Sequence, residues 1–466
     1  MSSTVNHRHI LDELNGIIKQ YIETSKDKEG LVVHYKDPGE LRKIISFSIA
    51  EKGVTETEFL ELLNQYLTYS VNTGNKQFLN QLYSGFNFPA FVGEVITALS
   101  NTSMYTYEVA PVATTIEKEM IQLMNTYCGF TEGDGIFVSG GSNANLVAMF
   151  TARNQIAPTT RFSGYDTSLK LTAFVNEQAH YSFETAANII GIGAKSVIKI
   201  KATDNGSMCS AALEKAILES KERGETPFFV GATCGTTMLG AYDPLNSLAI
   251  ICKKYGIWLH ADGSFGGSLI LSKQHRSLME GIEIADSFAW NPHKLMNIPL
   301  ICSALLVKKK GVLQQNITDI NTDYIFHDID NIEDLGKKSI QCGRRVDAVK
   351  LWFAWKYFGL SGYEERINNI IEMAAYAESI IQLNPNLELL AERQSFSVCF
   401  RHKSTVGVDA NEFNLALREK LRKSGKSMVN YGYLGDNLAI RLITANGELA
   451  KEDIELFFNN LEMCCQ

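Results

Sequence analysis

The hydrophobic positions of the chain fall into three stretches with different spacing. Over His9–Glu23 and Thr57–Val71 apolar residues recur at helical intervals, as in HILDELNGIIKQYIE, and predict a helical N-terminal segment over 1–86. From about residue 90, short and nearly unbroken apolar runs alternate with helical patterns. Gly135–Val138, Leu171–Val175, Ser196–Ile200, Pro227–Val230, Ile257–His260, Ser287–Trp290 and Ser303–Val307 read as seven strands. Runs without polar alternation, separated by helices, predict an α/β domain whose mainly parallel sheet is covered on both faces. The aromatic-rich helix Asp347–Phe358 stops at Gly359 and ends that domain, giving it the bounds 87–358. Ser395–Phe400 and Leu438–Ile443 then predict strands and Glu452–Met463 a closing helix, a small α+β domain over 359–466.

Composition narrows the setting. With 45% hydrophobic and 21% charged residues the chain is an ordinary globular protein, and a net charge of -8 gives no support to nucleic-acid or anionic-membrane binding. The first residues lack an apolar signal region, and no run of about 18 apolar residues occurs, so a cytoplasmic protein is expected. Nine scattered cysteines with no CxxC pair read as reduced core thiols, and no metal is expected.

One charge sits awkwardly in this pattern. Lys294 ends the run Ser287–Lys294, directly after an apolar strand and before the apolar stretch Leu295–Val307. Stripping water from an ammonium costs several kcal/mol, so such a lysine either reaches solvent or has become a nucleophile with a lowered pKa. On the lysine alone, the solvated loop residue is the commoner arrangement.

Four clusters in the same domain change that balance. Val138–Asn145 runs from a strand through Gly140, Gly141, Ser142 and Asn143 into a helix, where backbone and side-chain donors suit a phosphate, although a plain helix cap reads the same way. His180 follows a strand end and could stack on a flat ring, or be a structural histidine. Asp262 follows another strand among small residues and suits a protonated ring nitrogen, or simply forms a turn. Gly231–Thr237 offers hydroxyls at a third strand end, or is a polar loop. All four lie where open α/β sheets bind ligands, and with the lysine they jointly describe a site for pyridoxal 5'-phosphate.

The order of these motifs resembles the pyridoxal-phosphate-dependent amino-acid decarboxylases, in the branch of glutamate decarboxylase and cysteine sulfinate decarboxylase. The resemblance runs from about Phe78 to the C-terminal helix through Asn101–Pro111, Gly133–Phe137, Glu177–Ser182, Gly240–Pro244, Trp290–Lys294, Cys302–Leu306 and Gln341–Asp347. It implies a fold-type I enzyme and a homodimer with active sites at the interface, part of which the N-terminal segment contributes. It further implies that Lys294 condenses with the cofactor aldehyde, that Asp262 partners the pyridine nitrogen and that His180 stacks on the ring. Gly141, Ser142 and Asn143 match the phosphate loop, and Thr237, Asn291 and His293 match positions lining the cofactor. Tyr324 matches the tyrosine that protonates the substrate carbon, so Lys294, Tyr324, His180 and Asp262 are the expected catalytic residues. Arg441 and Gln81 match substrate-binding positions, the arginine holding a distal carboxylate.

Several positions depart from the family pattern. Gly263, Ser264 and Phe265 follow Asp262 where relatives commonly have Ala-Ala-Trp, and Phe86, Asn87, Asn297 and Ile301 differ as well. The segment from Tyr324 to Gln341 is about three residues shorter than in the animal enzymes. The expected reaction is α-decarboxylation of an acidic L-amino acid: glutamate, aspartate or cysteine sulfinate. A non-acidic substrate, an aldehyde-forming or aminotransferase outcome, and a catalytically silent homologue are the competing expectations.

Overall fold

The computed structural model of the chain describes residues 7–28, 30–317, 324–326, 334–404 and 407–465. Its strands, in chain order, are β1 (Phe78–Leu79), β2 (Asp134–Val138), β3 (Leu171–Asn176), β4 (Val197–Ile200), β5 (Thr226–Thr233), β6 (Trp258–Gly263), β7 (Ser287–Trp290), β8 (Ser303–Val307), β9 (Leu387–Leu389), β10 (Ser397–His402), β11 (Met428–Leu434) and β12 (Asn437–Ile443). Contacts divide the chain into two compact units. The larger holds Asn87–Ala374 with Ala391–Ser397, and the other holds Met1–Phe86, Ala375–Leu390 and Val398–Gln466.

In the larger unit seven strands are ordered β2-β8-β7-β6-β5-β3-β4. Only β8 runs antiparallel, to β2 on one side and β7 on the other. The α/β class with a mainly parallel seven-stranded sheet is therefore as expected. Every residue of β2, β3, β7 and β8 is buried, which is why these strands read as unbroken apolar runs rather than alternating ones. Ile136, Val138, Phe183, Phe229 and Leu305 join one core with Val147 and Ala148 of the helix Gly141–Ile156.

A buried clamp ties β2 into this unit. Arg344 meets both oxygens of Glu117, Nη1 to Oε1 at 2.8 Å and Nη2 to Oε2 at 3.1 Å, while donating to the carbonyls of Phe137 and Met104. Glu117 Oε1 in turn accepts the Phe137 backbone N–H at 3.0 Å.

The other unit contains most of a second sheet, ordered β1-β11-β12-β10-β9. The hydrophobic pattern does not predict β1, β9 or β11. The first two are two and three residues long, and β11 (MVNYGYL) carries Asn430 and Gly432 and is mostly half-buried, so pairing rather than burial defines it. The C-terminal helix expected over Glu452–Met463 spans Lys451–Cys465.

Candidate active site

The C-terminal ends of five strands of the large sheet open on one cavity of about 150 Å³. Its wall is made by Gly141 and Ser142 after β2, Gln178 and His180 after β3, Thr233, Gly235 and Thr237 at the end of β5, Asp262, Ser264 and Phe265 at the end of β6, and Asn291, His293 and Lys294 after β7. Parallel strands deliver their following loops to the same edge, so residues far apart in sequence converge there. Gly141, Ser142, His180, Thr237, Asp262, Asn291, His293 and Lys294 all line this cavity, as does Ser264. Asn143 lies one residue further into the helix Gly141–Ile156 and is not part of the wall.

Lys294 is half-buried within the buried run Asn291–Ile298. Its backbone N–H donates to the Asn291 carbonyl at 3.0 Å, and its Nζ lies 5.8 Å from the centre of the Phe265 ring. Phe265 is itself held against Phe396 at 4.3 Å. Asn291 is fixed by the Ser303 hydroxyl, which donates to its Oδ1 at 2.6 Å. Beside it, His293 has Nδ1 2.7 Å from the Cys302 carbonyl, and burial with the adjacent Lys294 charge lowers its pKa to about 4.

Asp262 is 5% exposed at the end of β6. Its Oδ1 accepts the Ser264 backbone N–H at 3.0 Å and its Oδ2 accepts Asn145 Nδ2 at 2.8 Å. Burial pushes this carboxyl up, but the Ser264 and Asn145 donors and the nearby His260 outweigh it and hold the group below its usual range, ionised. His180 is half-buried, and burial lowers its pKa against the pull of Asp262. Its Nδ1 accepts the Ser182 backbone N–H at 3.2 Å, which leaves the proton of the neutral ring on Nε2.

Several features of the wall suit pyridoxal phosphate. The helix Gly141–Ile156 begins without a side-chain cap, so its first N–H groups remain available to an anion. A Cβ at Gly141 would stand 2.3 Å from Ser264 Oγ and 2.8 Å from Asn291 Nδ2, so glycine keeps this corner open. Gln178 Oε1 and Thr233 Oγ1 are buried without a hydrogen-bond partner among the described residues, so the wall holds acceptors not used by the protein. An ionised carboxylate and an amine share the space. These residues fit the cofactor.

Tyr324 is 79% exposed and does not line the cavity; residues 318–323 and 327–333 on either side lie outside the described residues. Gln81 and Arg441 belong to the other unit. There Arg441, on β12, is buried and its Nη2 donates to the carbonyl of Asn80, next to Gln81, at 3.3 Å; burial lowers its pKa. Asn145 and Gln178 also line the cavity, although the sequence did not single them out, as do Thr233 and Gly235 of the cluster Gly231–Thr237 and Phe265, noted only as a departure from the family pattern. Asn145 and Gln178 sit inside motifs that were read for their neighbours.

Comparison with known proteins agrees with this geometry. The family description "pyridoxal-dependent decarboxylase conserved domain" matches residues 38–403. Cysteine sulfinic acid decarboxylase of Mus musculus is 36% identical over 449 residues, covering 93% of this chain and 91% of the relative. The acidic amino acid decarboxylase GADL1 of Homo sapiens is 34% identical over 461 residues, covering 96% and 88%. A crystal structure of mouse CSAD superposes with a TM-score of 0.95 at 35% identity, over 100% of this chain and 99% of that one. The chain belongs to the pyridoxal-dependent decarboxylase family, and is a carboxy-lyase of fold-type I architecture that uses pyridoxal phosphate.

Proposed function

We propose that the protein removes the α-carboxylate of an acidic L-amino acid, releasing carbon dioxide and the corresponding amine. The observation that carries the reading is the ionised, buried Asp262 sharing one cavity with Lys294. Bound pyridoxal phosphate supplies an electron sink conjugated to the substrate's Cα. Lys294 would hold the cofactor at its aldehyde, and Asp262 would keep its ring nitrogen protonated, an interaction that strengthens as negative charge develops. His180 would stack on the ring, and the loop Gly141–Asn143 with the start of its helix would hold the phosphate. Thr237, Asn291 and His293 would orient the ring. Tyr324 delivers a proton to the substrate carbon after carbon dioxide departs, which favours an amine over an aldehyde or keto acid.

The acidic substrate is supported by Arg441 and by what the relatives are named for. A buried guanidinium is an expensive group that suits a carboxylate or sulfinate. With Gln81 it forms the proposed recognition element for the distal acid. Arg441→Ala should lower kcat/KM for acidic substrates on the order of a hundredfold while changing neutral amino acids less than about threefold. Equal losses on both classes in that assay would refute the assignment.

A homodimer with its active sites at the interface, and a cytoplasmic location, complete the reading. In the larger unit Phe88, Val95, Ile96 and Leu99 on the helix Phe88–Ser100 and the nearby-in-sequence Val112 are exposed apolar side chains, as expected of a face that a second copy covers. Among the described residues no helix is long and apolar enough to cross a membrane.

A further inference from the structure

Asp262 stands at the end of a chain of hydrogen bonds whose direction is fixed at both ends. An ionised carboxylate only accepts, so the amide nitrogen of Asn145 donates to Asp262 Oδ2 at 2.8 Å, and its second hydrogen goes to Ser182 Oγ at 2.9 Å. The Asn145 oxygen is thereby left as an acceptor, and what it meets is Nε2 of His260 at 2.9 Å. Nε2 must carry the imidazole proton. Nδ1 of the neutral ring then accepts from the Ser287 hydroxyl at 2.8 Å, and that oxygen accepts from Trp258 Nε1, a donor only, at 2.8 Å.

The surroundings of His260 keep the chain in this state. Asn145, His260 and Ser287 have no exposed surface, and the imidazole lies between Phe229, stacked at 5.7 Å, and Phe183, edge-on at 6.2 Å. The charged group nearest along the chain is Asp262 itself. Burial dominates and lowers the pKa of His260 to about 4. A second branch leaves the same Asn145 for Ser182, whose backbone N–H fixes the tautomer of His180. One amide thus touches the settings of both proposed ring contacts.

We propose that Asn145 and His260 are positioning residues for the reaction: His260, as a neutral Nε2–H donor acting through Asn145, holds Asp262 as an oriented acceptor for the ring nitrogen of pyridoxal phosphate. This inference rests on the proposed role of Asp262. Removing Asn145 leaves the buried carboxylate with one partner fewer, and removing His260 leaves the Asn145 amide free to turn, so either change loosens Asp262 and weakens the electron sink more than it weakens substrate binding.

The test compares Asp262→Ala, Asn145→Ala, His260→Phe and His260→Gln by pyridoxal phosphate titration of the apoprotein, the absorbance of the bound cofactor against pH, and steady-state kinetics. Asn145→Ala and His260→Phe should raise the cofactor Kd about tenfold, move the pH dependence of the absorbance band, and lower kcat roughly 10–100-fold with KM changed less than about threefold. His260→Gln, which retains an N–H, should recover part of each loss. Wild-type values in Asn145→Ala and His260→Phe, alongside a large loss in Asp262→Ala, would overturn the positioning role and leave the reading of Asp262 intact. Wild-type behaviour of Asp262→Ala would overturn both. If the variants fail to fold by circular dichroism, nitrogen NMR of the histidine-labelled wild-type holoenzyme decides: a neutral His260 protonated on Nε2 across roughly pH 5.5–8.5 is expected, and an Nδ1–H tautomer or an imidazolium would overturn the proposal.

Discussion

At Gly141 a single methyl group would invade the cavity wall, because it would lie 2.3 Å from Ser264 Oγ and 2.8 Å from Asn291 Nδ2. Gly141→Ala should therefore raise the Kd for pyridoxal phosphate at least about tenfold with little loss of melting temperature, since the helix it begins tolerates alanine well. Titration of the apoprotein with the cofactor checks this, and an unchanged affinity would refute the close approach. The same scale shows what the sequence made legible. Lys294, Asp262 and His180 stand out because each is a polar residue at the end of an apolar strand. His260 does not stand out, since it lies inside the strand. The available signal is its position two residues before Asp262, which puts both side chains on one face of β6. Asn145 carries no such signal: only the folded helix brings its amide between His260 and Asp262, and residues 115 and 117 positions apart are not paired by any local pattern.

Between residue and element, the Arg344–Glu117 clamp fixes the strand that leads into the proposed phosphate loop. Both side chains are almost wholly buried, so truncating one leaves the other charged and unpaired. Glu117→Ala should cost about 3–5 kcal/mol of stability in urea titration, whereas a loss below about 1 kcal/mol would show that Arg344 finds other partners. The elements themselves were legible to different degrees for a physical reason. Strands β2, β3, β7 and β8 are covered on both faces and so announce themselves as apolar runs, whereas β11 exists through its ladder with β12, from Asn430 opposite Arg441 to Leu434 opposite Asn437. The helix from Asp347 is expected to end at Gly359, and Gly359 does leave helical geometry, with φ 70° and ψ -176°. Helical structure nevertheless resumes beyond it to Leu383, because the apolar spacing continues on the far side.

For the molecule as a whole, the buried neutral histidines set an acid limit. His260 and His293 both titrate near 4 in the folded chain, below the ordinary value of 6.5. A depressed histidine favours the fold above its unfolded pKa, and that contribution is lost as pH falls from about 6.5 toward 4, up to roughly 3 kcal/mol for each. Asp243 opposes them: burial raises its carboxyl to about 6, so protonation between about 6 and 3.8 favours the folded state. The melting temperature should therefore fall more steeply across this range in the wild type than in His260→Gln. Equal slopes in the two proteins would contradict the neutral, buried state of the His260 ring.

The central claim is tested most directly by incubating the holoenzyme with glutamate, aspartate, cysteine sulfinate and a set of neutral and aromatic amino acids while measuring carbon dioxide and the organic product together. The account predicts one amine formed for each carbon dioxide released, from an acidic substrate in preference to the others, and no release by Lys294→Ala. Aldehyde or keto acid in place of the amine, or turnover confined to neutral or aromatic amino acids, would contradict it.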